Sequence, residues 1–143
     1  MRWLAAIALA ACGTPPLTVD AGDPLCFDAQ GALAPTFTNV QHVFDAQCTT
    51  SICHGQFQVS LIAPAYARIV NQPAVDNPPT LDGCGGTLVT PGDPGKSYLY
   101  TKLSSDAPCA GTRMPRTEFA AGVLADCQRE LIRGWIAAGA QND

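Results

Sequence analysis

Residues 48–54 read Cys48-Thr49-Thr50-Ser51-Ile52-Cys53-His54, with four residues between the two cysteines and a histidine directly after the second one. Two cysteines followed at once by a histidine are typical of covalent haem attachment, for which the usual spacing is C-x-x-C-H. Here the residue types are the expected ones and the gap is wider than usual. The segment predicts that Cys48 and Cys53 anchor one haem c and that His54 binds its iron.

The same residues allow two other interpretations. Cys48 and Cys53 could close a local disulfide loop, which is common in exported chains, and His54 would then be an ordinary surface histidine. The protein would in that case be a disulfide-stabilised exported lipoprotein that binds or supports a partner without haem. All three residues could also bind zinc together with a further cysteine, although adjacent Cys53 and His54 are poorly placed for one tetrahedral ion.

Apolar residues at three- and four-residue steps predict one helix before this segment and another near the end of the chain. The first runs from about Thr36 or Thr38 to Gln47, directly before the cysteines, and Thr36 is a candidate cap. The second runs from Asp126, a candidate N-cap, to about Ala138, where Gly139 favours termination. Their apolar stripes consist of Phe37, Val40, Val43 and Phe44, and of Leu124, Leu131, Ile132, Trp135 and Ile136.

Two shorter helices are predicted between them. One covers Ala65 to Asn71, and the other opens with Asp93 as cap and Pro94 in the first turn. Residues 72–92 contain four prolines and four glycines, and we interpret them as loop, with a short strand pair around Leu88 left open. No strand-rich pattern occurs elsewhere, so the predicted fold class is all-α, with three to four helices around one haem and long Pro/Gly-rich loops.

The N-terminal residues have the composition of an export signal. Arg2 supplies a positive charge, and the apolar run from Trp3 to Ala11 is too short to span a bilayer as a helix. Leu9-Ala10-Ala11-Cys12-Gly13 resembles a bacterial lipoprotein box, in which Cys12 is lipidated. The predicted organisation is a signal peptide at 1–11, a lipidated flexible tether at 12–35 and a folded domain at 36–143.

The chain contains seven cysteines, a number that fits an oxidising, exported environment. Assigning Cys12 to lipid and Cys48 and Cys53 to haem leaves an even number for disulfides. Four cysteines allow three pairings, of which we favour Cys84–Cys109 and Cys26–Cys127.

Composition narrows the function classes. The formal net charge is −4 and the chain has no basic run, so nucleic acid is not an expected partner. The sequence shows no nucleophile beside a base and no paired carboxylates, so we do not expect an enzyme. An acidic protein favours a redox partner with a basic face.

Met114 is the one methionine besides Met1. A thioether sulfur is a soft ligand that favours Fe(II) and raises the potential of a haem, so Met114 is a candidate second axial ligand; otherwise it fills the core or a loop. Arg113 and Arg116 flank it, either as surface charges or facing haem propionates or a partner.

His42 lies off the apolar stripe and is expected to be solvated. Packing is the expected role of the three tyrosines Tyr66, Tyr98 and Tyr100, although they could reach a propionate.

On these residues the chain resembles a small class I c-type cytochrome, and more closely the cytochrome c-like domains of large bacterial exported proteins. The similarity extends over about Phe37 to Ala140. The runs that carry it are the helix ending at Cys48, Cys53-His54-Gly55, Ala65-Tyr66, Val89 to Leu99, Met114-Pro115 and Ile132 to Ala140.

The resemblance implies a cytochrome c-like fold with His54 as proximal ligand and Met114 as distal ligand, and with the first helix packed against the last beside the haem edge. It implies one-electron transfer rather than catalysis, because both axial positions are filled. We further expect an exported monomer, periplasmic or on the cell surface, that contacts the membrane through its lipid anchor only and exchanges electrons with a redox partner protein.

Overall fold

The computed structural model describes residues 22–49, 59–74, 86–109, 111–116 and 123–143. Within these ranges a short antiparallel hairpin comes first, followed by four α-helices and one 3-10 turn at Pro94–Lys96. The elements are β1 (Phe27–Asp28), β2 (Gly31–Ala32), α1 (Phe37–Gln47), α2 (Tyr66–Ile69), α3 (Tyr98–Ser104) and α4 (Asp126–Ala137).

The bounds of α1 follow from local chemistry. Thr36 caps the helix with its hydroxyl, which accepts a hydrogen bond from the backbone N–H of Asn39 at 3.4 Å. At the other end, the backbone N–H of Cys48 donates to the carbonyl of Phe44 at 2.8 Å. The predicted helix before the cysteines therefore has the predicted cap and end.

The start of α4 differs from the sequence-based prediction by one residue. Its N-cap is Ala125, whose N–H donates to the side-chain oxygen of Gln128 at 3.2 Å. Asp126 is instead the first helical residue, where a carboxylate interacts favourably with the helix dipole, and it pairs with Arg129. After the helix, Gly139 has a φ of +102°, a left-handed conformation that glycine adopts without steric cost.

The core lies where α1 meets α4. Phe44, Ile132 and Trp135 are 0–1% exposed, and the Phe37 and Trp135 rings lie 5.3 Å apart between centroids. A Cβ on Gly134 would lie 3.2 Å from the Cβ of Pro35, so the absence of a side chain at this position allows α4 to approach the residues before α1.

The last residues of the chain connect α4 back to α1. Backbone and side-chain oxygens of Asp143 accept hydrogen bonds from the N–H groups of Thr38 at 3.0 Å and Phe37 at 2.8 Å. These are donors that a helix N-terminus leaves without a partner inside the helix. The indole N–H of Trp135 donates to the carbonyl of Gln141 at 2.8 Å. Residues 141–143 are therefore hydrogen-bonded both to α4 and to the start of α1.

The predicted all-α class is wrong, because strand pairing occurs in two regions. Phe27 pairs with Ala32 and Asp28 with Gly31 in the hairpin. Isolated bridges join Val70 to Val89, Pro73 to Thr87 and Thr87 to Ser97. The hairpin was not predicted, because two-residue strands carry no alternation of apolar and polar residues. The bridges at Thr87 and Val89 lie where the sequence left a short strand pair around Leu88 open. Their physical origin is the need of loop backbone groups for hydrogen-bond partners: the N–H of Leu88, for example, donates to the carbonyl of Gln72 at 2.8 Å.

Part of the predicted tether is structured. Leu25 and Leu33 pack against the core, and Cys26 is 4% exposed. A disulfide joins Cys26 to Cys127 across a sequence separation of 101 residues. Across the ranges described above, no helix combines the length and apolar character that crossing a membrane requires.

The 3-10 turn directs the chain into α3. Asp93 caps it with a side-chain oxygen that accepts from the backbone N–H of Lys96 at 3.1 Å. The pKa of Asp93 lies below its ordinary value because Lys96 also donates a side-chain hydrogen bond to its carboxylate. The pair is exposed, and its contribution to the turn is lost as the pH falls through the lowered pKa of Asp93.

Candidate functional site

Cys48 is buried at the end of α1. Positions 37, 41, 44 and 48 follow one another at steps of four and three, so Cys48 continues the face that α1 turns to the interior. The side chain is 8% exposed and belongs to the main hydrophobic cluster. Of the predicted attachment site, Cys53 and His54 lie outside the described residues.

Met114 lies on the segment formed by residues 111–116, called here the Met114 segment. It is half-buried and packs against the same hydrophobic cluster that contains Cys48. Its backbone N–H donates to the carbonyl of Lys102 in α3 at 2.7 Å. The fold thus places the first predicted haem anchor and the predicted distal ligand against one core, although they are far apart in sequence.

Three side-chain contacts hold the Met114 segment to α3 and the residues after it. The Nζ of Lys102 donates to the carbonyl of Thr112 at 2.7 Å. The Nε of Arg113 donates to the carbonyl of Leu103 at 3.0 Å, and its Nη1 donates to a carboxylate oxygen of Asp106 at 2.8 Å. The sequence predicted Arg113 as a surface charge or as a contact to a propionate or partner, whereas in the structure it bonds to Leu103 and Asp106 of the same chain.

The other candidate residues have different surroundings. His42 is exposed and lines a shallow cavity of about 450 Å³, whose lining includes neither Cys48 nor Met114. The hydroxyl of Tyr66 donates to the carbonyl of Ala140 at 2.8 Å, which is a packing role. Tyr98 lies under the Nζ of Lys102 at 6.0 Å from its ring centroid, and Tyr100 packs against the core.

Gln41 is a buried polar residue that the sequence analysis did not single out. Its side chain is on the interior face of α1 and is 8% exposed. Its amide donates to Leu61 O and Asp45 Oδ1, each at 2.9 Å, and accepts from the N–H of Ala65 at 2.9 Å. A glutamine within an apolar stripe is the signal that could have identified it, since a buried amide needs hydrogen-bond partners.

The remaining cysteines bear on the disulfide prediction. Cys26 and Cys127 form the pairing that the sequence analysis favoured. Cys109 is disulfide-bonded, and its favoured partner Cys84 lies outside the described residues, as does Cys12.

A carboxylate lies beside the Cys26–Cys127 disulfide. Asp23 Oδ2 is 3.6 Å from the Sγ of Cys26 and accepts a hydrogen bond from Gln128 at 2.7 Å. Asp23, Cys26 and Cys127 form the one cluster of three potential metal ligands within the described ranges. Because a thiolate is the form that binds metal, the disulfide removes both sulfurs from that role.

No protein-family model, curated protein or solved structure matches this chain. The resemblance to c-type cytochromes therefore stays a prediction carried by the residues quoted for it.

The described residues fit a covalently held haem in their chemistry. A buried thiol position at a helix end and a thioether sulfur against the same apolar cluster supply the soft atoms that attachment and axial ligation use. Partly buried apolar residues next to that cluster add surface of the kind that a porphyrin contacts; they are Val59, Leu88, Leu99 and Tyr100.

Proposed function

We propose that this protein transfers single electrons through one covalently attached haem c. Cys48 and Cys53 would hold the group, and His54 and Met114 would be its axial ligands. The observation that carries the proposal is that Cys48 and Met114 contact one hydrophobic cluster. When bound, the haem supplies an iron that cycles between Fe(III) and Fe(II).

The protein residues have separate roles in this proposal. Thioether bonds from Cys48 and Cys53 would keep the cofactor on the chain after export, and the Cys48 side chain is buried at 8% exposure. The thioether of Met114 favours Fe(II) and so raises the potential relative to a second imidazole. With both axial positions filled, no position is open for a substrate.

The cellular setting forms part of the same proposal. An exported protein anchored by lipid at Cys12 would meet a redox partner at the membrane surface. The Cys26–Cys127 disulfide supports export, because disulfides persist mainly in oxidising compartments.

The first prediction concerns haem attachment itself. Protein made in a host with haem-attachment machinery is expected to show a sharp α-band on reduction, and the haem is expected to remain on the chain through acid-acetone extraction. The Cys48→Ser/Cys53→Ser variant is expected to lose the cofactor on extraction, because it has no sulfur left at either anchor.

The control is the unchanged protein made in the same host without that machinery. It should carry no haem that remains on the chain after acid-acetone extraction. Intact, folded protein without the α-band in the competent host would contradict the proposal. It would favour the haem-free, disulfide-stabilised lipoprotein instead.

The second prediction concerns Met114. Met114→Ala is expected to abolish the weak sulfur-to-iron charge-transfer band of the oxidised protein and to lower the reduction potential, because the thioether ligand is gone. Met114→Leu keeps the apolar volume, a type of exchange that usually costs less than about 1.5 kcal/mol, and should abolish the band equally. An unchanged spectrum in both variants would rule out Met114 as a ligand.

A further inference from the structure

We propose that Arg113 is a positioning residue that holds Met114 in place as an axial ligand, an inference that rests on the proposed function. Besides the packing of its side chain against the core, Met114 is connected to α3 by the hydrogen bond from its N–H to the carbonyl of Lys102 at 2.7 Å. The residue before it, Arg113, extends its side chain back to α3 and so adds a second hydrogen bond between this segment and the helix.

The bond from Arg113 to α3 reaches a well-anchored part of the fold. Its Nε donates to the carbonyl of Leu103 at 3.0 Å, in the last turn of the helix, where carbonyl groups lack helical partners. Leu103 is 3% exposed and belongs to the core. This hydrogen bond therefore connects the core at Leu103 to the backbone beside Met114.

The ion pair of Arg113 with Asp106 is the lesser contribution. The side chain of Asp106 is 93% exposed, whereas that of Arg113 is 26% exposed, and ion pairs with solvated partners contribute little. The carbonyl of Leu103 lies in a more protected place and accepts from a charged donor, which makes the stronger type of hydrogen bond.

A thioether is a neutral, weak ligand, so the probability that it stays on the iron depends on how firmly its segment is held. Loss of the Arg113 tie increases the fraction of molecules in which Met114 has moved away. An external ligand binds only to that open fraction, so its apparent dissociation constant falls as the fraction rises. Imidazole is a suitable probe because it binds ferric haem directly.

The experiment compares three variants of the haem-loaded protein with wild type by imidazole titration. Arg113→Gln removes the guanidinium and its charge, and Arg113→Lys keeps the charge without the planar donor group. Arg129→Gln is the matched control, because the side chain of Arg129 is 21% exposed and also bonds to a backbone carbonyl, that of Leu124, and to an aspartate.

Both Arg113 variants are expected to bind imidazole about tenfold more tightly than wild type, the effect of losing a hydrogen bond from a charged group. Arg129→Gln should bind it as wild type does, with the same helical content by circular dichroism in all proteins. Should Arg113→Gln fail to fold, Arg113→Lys tests the same bond with the charge retained.

Three results would overturn the inference. The first is an imidazole affinity of both Arg113 variants equal to that of wild type. The second is a wild-type affinity in Arg113→Lys alone, which would assign the effect to charge, and the third is an equal increase of affinity in Arg129→Gln, which would assign it to a general loosening of the fold. A wild-type protein without the sulfur-to-iron band refutes Met114 ligation and this inference together. A wild-type protein with the band and unresponsive Arg113 variants refutes the inference alone.

Discussion

Replacing Cys26 and Cys127 together by alanine is expected to lower the free energy of unfolding by about 4–5 kcal/mol, the chain-entropy value for a loop of about 100 residues. The disulfide closes a sequence separation of 101 residues, so it restricts most of the described domain in the unfolded state. It also fixes the β1–β2 hairpin segment to α4, near a core that Cys26 helps to fill at 4% exposure.

The measurement is guanidinium chloride unfolding of the double variant against wild type, with both followed by circular dichroism. Replacing both residues prevents a single remaining thiol from forming wrong pairs, and substitution avoids reducing the disulfide of Cys109. Cys26→Ser/Cys127→Ser is the control for the change of side chain. A shift near zero in both double variants would mean that packing alone holds the hairpin segment.

Trp135→Ala is expected to lower the free energy of unfolding by about 3–5 kcal/mol, the usual range for removing a large aromatic from a core. Trp135 is 1% exposed, and its ring lies 5.3 Å from that of Phe37 and 6.5 Å from that of Tyr66 between centroids. Together with Phe37 and Tyr66, whose rings lie 5.2 Å apart, Trp135 forms a three-ring cluster that connects α4, α1 and α2.

A graded series distinguishes the contributions of Trp135. Trp135→Phe keeps most of the apolar volume and loses the indole hydrogen bond to the carbonyl of Gln141. Because Gln141 is exposed, water can replace the lost donor, and we expect the free energy of unfolding to fall by about 1–2 kcal/mol. Ile62→Ala, at a side chain 48% exposed, is the surface control and should change stability by less than about 0.5 kcal/mol. Equal effects of Trp135→Ala and Ile62→Ala in thermal unfolding would contradict the assigned core.

Sequence reasoning succeeded where the determining interactions are local. The apolar stripe and the Thr36 hydroxyl predict α1, and the stripe with Gly139 predicts α4 apart from its cap. These features depend on residues three or four positions apart.

It failed where partners come from distant parts of the chain. Residues before Pro35 have a loop-like composition, yet Leu25 and Leu33 pack against the core through apolar contacts that no local pattern reveals. The Cys26–Cys127 disulfide, which the cysteine count favoured, fixes the same segment to α4. The predicted all-α class was wrong for the same reason, since single bridges such as Val70–Val89 form only after α2 and the later loop have come together.

By itself the sequence determined the two long helices and the residue types available to the candidate site. Only the tertiary structure decided that Cys26 pairs with Cys127 rather than with Cys84 or Cys109, that Asp143 binds the start of α1, and that Arg113 hydrogen-bonds to α3 beside Met114. The physical reason is that helix formation is governed by short-range periodicity. Long-range ties are chosen by the complete packed arrangement, in which every buried donor and sulfur must find its partner.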